Sequence, residues 1–579
     1  MVKVRHIFFY KKTLAGDDFM HLLLPSLLYA VVQFIWGLAD NIIAGNMLGT
    51  SALTSITLCK PYLSFIAFIN MLIVPGTAVL SSLSVGKEER HKANQFFGQG
   101  IIMAAVLGVV FFTGSLIFKQ SLFKVFNVPA DILNNTEQYF NYLLIYPLFM
   151  FYPVLFTAVI NDGGKKWCTI SGIVMFVSKI ALSLVLCYYI GIKGLSMSTM
   201  LSIALACVVL LFQFAEKNNP LKFIFHFSWK DAAKVLKEGF QDALLFYLFI
   251  AIFLFFFNWF LLKYFDAGAV VIFTIIVNIQ ALMIAVYDGL IQTIQPIITI
   301  YRGEDNLLGI NKTMQVSVVV STLITLSLII AIVLFSNYIP LAFGVSDLAL
   351  CSEAARAVRI YVPCTLFFVW GMTLSGYLDK TEHFIFALII MVAMLFLFNI
   401  PLSFFFGAHK MLNGIWTAMS VSISVGMLLG LYILYLYANK RREVFPWLLD
   451  KNKLCNQASF DVTGTKENVK VLMDKVEDEL IRRGVEQKKI LKVLLMLEET
   501  YMLNFDKTKK DKKYYVECTL LFKEKLLMYV RSNGVYSDAT DTNAMPDSLR
   551  QYLSSMIVSS NKGSRFSLSV GDNRTIYEF

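Results

Sequence analysis

Few ionisable residues interrupt the apolar stretches of this chain, and those few are where chemistry is possible. Asp40 lies in GLADNIIAG. A carboxylate there can take a proton or Na⁺, or neutralise a cationic ligand; equally, it can be a helix-end residue solvated at an interface. Gln33 precedes it by about two helical turns and shares its face, with Trp36 and Tyr29 on or near that face. An amide among aromatics can line a cavity for an amphipathic ligand, or can make an interhelical hydrogen bond. Lys179 lies in MFVSKIALS, too deep in its apolar run to reach an interface, so it needs a partner or a wet cavity. One expectation is that it faces Asp40 as a tethered counter-cation; the other is that it pairs with a backbone carbonyl elsewhere. Asp288, followed by Gln292 on nearly the same face, is either a second polar site or a packing feature. Lys60, just before Pro61, is close enough to a helix end to be structural.

Other chemistries lack their residues. DGGKKW does not have the spacing of a phosphate-cradling loop, and there is no HExxH pair. The eight cysteines form no CxxC and the six histidines no cluster. No Ser/His/Asp arrangement stands out, so neither an enzyme nor a resident metal or cofactor is expected.

The elements that hold these residues are membrane helices. Of 579 residues, 57% are hydrophobic and 16% charged, 50 are Phe, and the mean hydropathy is +0.64. A soluble domain carries about 25% charged residues. The net charge of +11 fits basic loops at an inner membrane face, and no nucleic-acid partner is expected. Twelve apolar runs fall at 19–45, 53–84, 93–117, 139–160, 167–190, 195–215, 240–263, 268–300, 312–337, 357–378, 383–406 and 412–438. Each suits a hydrocarbon core of ~30 Å. Alternate loops hold about 20 Lys and Arg on one side against roughly 7 on the other, which places both termini in the cytoplasm of a plasma (inner) membrane protein.

The two halves repeat. LGTSALTSIT pairs with FDAGAVVIFT, YPLFMFYPVLFTAVINDGGKK with VPCTLFFVWGMTLSGYLDKTE, and GLSMST with GIWTAMS, all at an offset of roughly 219 residues. Six helices per half is an even number, so the halves are parallel and related by an axis along the membrane normal. The expected layout is an N-terminal segment (1–18), a six-helix lobe (19–215), a linker (216–239), a second lobe (240–438), a basic linker (439–455) and a soluble α+β domain (456–579). That domain should contain an extended start at 459–463, helices at 466–483, 486–505 and 546–559, and strands at 514–522, 525–532, 565–570 and 574–579.

In order and spacing, ADNIIAGNMLGTSALTSI, DAGAVVIFTIIVNIQ, GLIQTIQPIITIYRGEDN and GIW resemble the MATE (multidrug and toxic compound extrusion) family over residues 15–440. The resemblance implies secondary efflux of amphipathic, often cationic compounds driven by H⁺ or Na⁺. It matches Asp40 to the first-helix cation site, Gln33 to a cavity position and Thr199 to the sixth-helix threonine beside that site. Many members carry an Asn and an Asp in the fifth helix where this chain has VSKIALS, so the usual coupling site is incomplete. The tail resembles a degenerate histidine-kinase-like ATPase domain. Glu499 and Asn504 match its first nucleotide motif, one residue out of helical phase, and Gly534 matches its second, with Asn533 in place of the acidic residue. That implies a regulatory domain for a cytoplasmic protein partner, with ATP binding doubtful.

The leading expectation is therefore a monomeric, alternating-access antiporter for a small organic substrate in the bilayer. Two alternatives stand: a lipid-linked glycan flippase, for which Lys60 and Lys179 are the only cations in the first six helices, and a transporter-like sensor signalling through its tail.

Overall fold

A computed structural model describes residues 13–48, 50–86, 89–121, 133–161, 165–215, 221–265, 267–342, 347–381, 383–507, 515–533, 561–567 and 572–579. The helices are α1 (Leu14–Met47), α2 (Thr50–Gly86), α3 (Arg90–Ile117), α4 (Leu133–Leu143), α5 (Phe151–Asn161), α6 (Lys165–Ile190), α7 (Ile192–Leu211) and α8 (Trp229–Ala243). They continue with α9 (Phe249–Tyr264), α10 (Ala267–Gly303), α11 (Leu307–Leu334), α12 (Leu348–Tyr361), α13 (Thr365–Lys380), α14 (Phe384–Val392), α15 (Asn399–Ala408) and α16 (Leu412–Arg441).

Helix covers each of the twelve apolar runs, but the helices are not twelve equal spans. Among the described residues nine are long and apolar enough to cross a membrane, and ten if the pair α4–α5, bent by 42°, is one span. The run at 240–263 is divided by a π-turn at Leu244–Leu248. Helix runs on through this turn into α9.

The internal repeat has a structural counterpart. The run at 139–160 breaks at a 3₁₀ turn, Tyr146–Phe149, and the run at 357–378 breaks at another, Val362–Cys364. Each turn has proline in its first positions, Pro147 and Pro363, where the missing N–H interrupts the helical ladder.

Contacts group the chain into two units. The larger comprises residues 27–288 and 324–430. Within it, the expected linker at 216–239 is already helical from Trp229. Ala232, Val235 and Gly239 form the buried face of α8 at helical spacing, while Lys230, Lys234 and Lys237 are exposed. This face packs on α2 through glycines. A Cβ at Gly76 would lie 2.0 Å from the Val235 carbonyl oxygen, and one at Gly239 would lie 2.1 Å from that of Leu72. Two side chains of α3 pin the segment before α8. Asn94 Oδ1 accepts the Lys222 N–H at 3.1 Å, and Gln99 Oε1 accepts that of Ser228 at 2.9 Å.

The smaller unit comprises residues 1–26, 289–323 and 431–579. After the short hairpin β1 (Glu443–Val444) and β2 (Leu449–Asp450), β3 (Gln457–Thr463) begins a five-stranded antiparallel sheet. Its order is β3-β4-β5-β7-β6, with β4 at Tyr515–Phe522, β5 at Leu526–Ser532, β6 at Asn561–Ser567 and β7 at Asp572–Glu578. Helices α17 (Lys466–Arg482) and α18 (Gln487–Lys507) share one apolar core with it. Leu472, Val476 and Leu480 of α17 meet Val493, Met496 and Leu497 of α18 over Val516, Cys518 and Leu520 of β4. The expected helix at 546–559 lies outside the described residues. The strand expected at 565–570 is β6, four residues earlier.

This unit joins the sheet to the α10–α11 turn. The first amides of α11 lack helical partners, as at any helix start. Gln457 of β3 supplies one: its Oε1 accepts the N–H of Leu307 at 2.9 Å and of Leu308 at 3.4 Å, and its Nε2 donates to the Asp305 carbonyl at 2.6 Å. Asn306 caps from within, accepting the Gly309 N–H at 2.9 Å.

Candidate functional site

Lys179 is 1% exposed on α6, and its ammonium sits inside a shell of oxygens. Nζ donates to Asp40 Oδ1 of α1 at 2.6 Å, to Thr199 Oγ1 at 2.5 Å, and to Ser198 Oγ and the Leu195 carbonyl of α7 at 3.2 Å each. An ammonium has three N–H groups, so four acceptors satisfy it fully. The expectation that Lys179 faces Asp40 therefore describes the geometry, and the backbone-carbonyl alternative does too, through Leu195.

The sequence builds this shell locally. Gly191, at φ +66°, turns the chain between α6 and α7. Gly194 lets the two helices close up, since a Cβ there would lie 2.3 Å from the Leu186 carbonyl carbon. Ser198 and Thr199 of GLSMST then face α6. Ser198 Oγ bonds Ser183 Oγ at 2.7 Å and donates to the Leu195 carbonyl at 2.7 Å, and Thr199 Oγ1 donates to that carbonyl at 3.1 Å. Tyr139 of α4, 2% exposed, faces the Asp40 carboxylate from another side. A buried lysine that keeps its charge needs such a set, because an unpaired ammonium in apolar surroundings costs several kcal/mol, roughly 3–5 by the effect of removing one partner.

The other residues singled out are not gathered here. Tyr29, Gln33 and Trp36 lie on α1, but their side chains fall outside the described residues. Asp288 is half-buried on α10. Gln292 is exposed. In the tail, Glu499 is half-buried on α18, where burial first and Glu498 second push its carboxyl above the ordinary value. The Asn504 side chain and Gly534 lie outside the described residues. Asn533, in the acidic position of the second nucleotide motif, is used otherwise: its Oδ1 accepts the Tyr515 N–H at 2.8 Å and its Nδ2 donates to Asp17 Oδ2 at 2.9 Å. Ser198, Ser183, Leu195 and Tyr139 were missed from sequence. The first stands beside Thr199 in the repeated GLSMST segment and so was within reach; Tyr139, in a polar helix, carried no signal.

A polytopic helical protein with a repeated, proline-broken helix in each half and a buried acid–ammonium pair in the first half defines a class of membrane carrier. The comparisons name the family. The MatE pattern matches residues 25–189 and 243–405, one stretch in each half, and the chain belongs to the MatE family. It is 21% identical over 446 residues to the multidrug export protein MepA of Staphylococcus haemolyticus, covering 76% of this chain and 97% of that one. It is 24% identical over 208 residues to the probable multidrug resistance protein YoeA of Bacillus subtilis, a match spanning 45% of that relative. The fold is shared with an outward-facing multidrug resistance MATE family transporter of the MOP superfamily (TM-score 0.65, 18% identity, 74% of this chain and 96% of that one). It is shared too with a MOP superfamily transporter from Pyrococcus furiosus, described as having a binding pocket of reversed polarity (TM-score 0.66, 17% identity, 75% and 99%).

Proposed function

We propose that this MatE-family protein is a secondary exporter of amphipathic, cationic organic compounds, working by alternating access of its two six-helix lobes. Membership of the family and the export named for MepA support the class. The observation that carries the coupling mechanism is the oxygen shell around Lys179. A carboxylate, a carbonyl and two hydroxyls are the donor set a Na⁺ or hydronium ion would use, and here an ammonium fills it. In this reading Asp40 is shared between the tethered lysine and the mobile coupling ion, H⁺ or Na⁺. The ion drives the cycle only by its differential affinity for the two lobe arrangements.

The same geometry weighs against the flippase alternative, since Lys179 is committed to Asp40 and is not free to bind pyrophosphate. Both termini are read as cytoplasmic. The contact of Asn533 with Asp17, between the tail and the start of α1, supports placing them on one side, and the basic loops give the side. The tail, with two helices on an antiparallel sheet, is read as a degenerate relative of the histidine-kinase-like ATPase fold that regulates without nucleotide.

The test is efflux of a fluorescent lipophilic cation, with H⁺ and Na⁺ gradients collapsed separately. Asp40→Asn should lower efflux by about tenfold or more, the scale of one lost charge-assisted contact. Lys179→Ala should make efflux more sensitive to pH or Na⁺, because the mobile ion then meets Asp40 without a competitor. Unchanged ion sensitivity in well-expressed Lys179→Ala sinks the shared-carboxylate mechanism.

A further inference from the structure

Asp461 of β3 holds two parts of the transporter at once. Its Oδ1 accepts the backbone N–H of Leu14, at the start of α1, at 3.2 Å. Its Oδ2 accepts Lys312 Nζ of α11 at 2.5 Å. Lys312 also donates to Ser459 Oγ at 2.7 Å and to Glu517 Oε1 at 3.0 Å. Glu517 Oε2 accepts the Tyr301 hydroxyl, at the end of α10, at 2.9 Å. At the turn that follows, Glu304 accepts Arg574 Nη1 of β7 at 2.8 Å, with Arg531 Nε of β5 at 3.9 Å. The second grip on α1 is Asn533 on Asp17.

The sheet thus touches the beginning of α1, which opens the first lobe, and the hairpin ends of α10 and α11, which belong to the second. Three cations (Lys312, Arg531, Arg574) face three carboxylates (Glu304, Asp461, Glu517), so the cluster sums to zero charge. A neutral, hydrogen-bonded cluster is stable when closed. When it opens, water can take over its polar groups.

We propose that the C-terminal sheet is a staple across the two lobes: closed, it holds the start of α1 beside the α10–α11 hairpin and opposes opening on its own side of the bilayer. Asp461 is the pin, because one carboxylate serves both lobes. The inference rests on the alternating-access reading above. The staple makes the tail an autoinhibitory element, released when the Asp461 and Lys312 bonds break.

Spin labels at His21→Cys on α1 and Gly303→Cys at the end of α10 test this in the full-length, reconstituted protein, with the exposed Cys455 changed to Ser. His21 is 76% exposed, and a Cβ at Gly303 meets open space. With the wild-type cluster one short-distance population is expected. Asp461→Asn should raise a longer-distance population at least about tenfold, the shift produced by losing one bond specific to the closed state. If Asp461→Asn does not fold, Lys312→Gln breaks the same bond from α11. Asp461→Glu, which keeps a carboxylate on β3, should retain the short distance. Unchanged distances in both single variants overturn the staple. No substrate is needed, so the two readings fail separately. Shifted distances without efflux support the staple and count against the exporter; unchanged distances with intact efflux overturn the staple alone.

Discussion

Two lysines in helices of this protein are each held by carboxylates, and they are held differently. Lys179 is 1% exposed and meets one carboxylate, 15% exposed. Lys312 is 22% exposed and meets two, Asp461 and Glu517. In the first case the rest of the shell is hydroxyls and a carbonyl from the neighbouring helix; in the second it is the Ser459 hydroxyl, and a further cation, Arg531, acts on the same Glu517. Burial pushes the Asp461 carboxyl above its ordinary value and Glu517 adds to this. Burial also raises Glu517, but Lys312 and then Arg531 outweigh it and hold that group below its ordinary value. The first arrangement is one ammonium enclosed by oxygens of α1 and α7. The second is a balanced ionic joint between segments far apart in sequence. Removing a charge should therefore be costly in one place and moderate in the other.

The largest effect is expected from Lys179→Met. It leaves the largely buried Asp40, 15% exposed, without its lysine, at a cost of up to about 3–5 kcal/mol. Adding Asp40→Asn should recover most of that, because a neutral pair leaves no orphaned charge. Thermal unfolding of the three variants in detergent checks this; a double variant as unstable as the sum of the singles would erase the contrast with Lys312.

Lys312→Met comes next. Asp461 and Glu517 are 10% and 0% exposed, but Arg531 stays beside Glu517 and Asp461 can take up a proton, so the expected cost is about 1–3 kcal/mol. The loss should be local: faster hydrogen exchange in β3 with the α6–α7 helices unchanged. Equal loosening of both regions would mean that the joint is part of the core rather than a separate contact.

How much of this could be read from sequence follows from the range of each interaction. Apolar runs and the first two helices of the tail are encoded in short windows, so their positions were legible within a few residues. Asp40 and Lys179 were legible too, because a charge inside an apolar run demands an explanation wherever its partner is. Lys312 was not. It falls at the very start of a run, where a lysine is unremarkable, and its partners Asp461 and Glu517 are 149 and 205 residues away. Each of those carboxylates sits in a soluble strand, where a charge raises no question.

The smallest effect, and the sharpest, concerns how the joint is aligned rather than how strongly it is charged. Gln457 caps α11 with its oxygen and holds the Asp305 carbonyl with its nitrogen. Asp305 is at φ +58°, a conformation that aspartate tolerates and that the two-way grip fixes. Gln457→Ala should cost about 1 kcal/mol, as the loss of a helix cap does, and should speed exchange of the Leu307 and Leu308 amides first. Gln457→Glu separates the two roles. A carboxylate still accepts those amides and is favoured at a helix N-terminus, but it cannot donate to Asp305. If capping alone aligns the joint, glutamate should restore wild-type exchange. If the grip on the turn matters as well, the α11 amides should be protected while the sheet still loosens. The second result is expected, because an ionic cluster of this size transmits a displacement only when the turn that carries Glu304 is held in place.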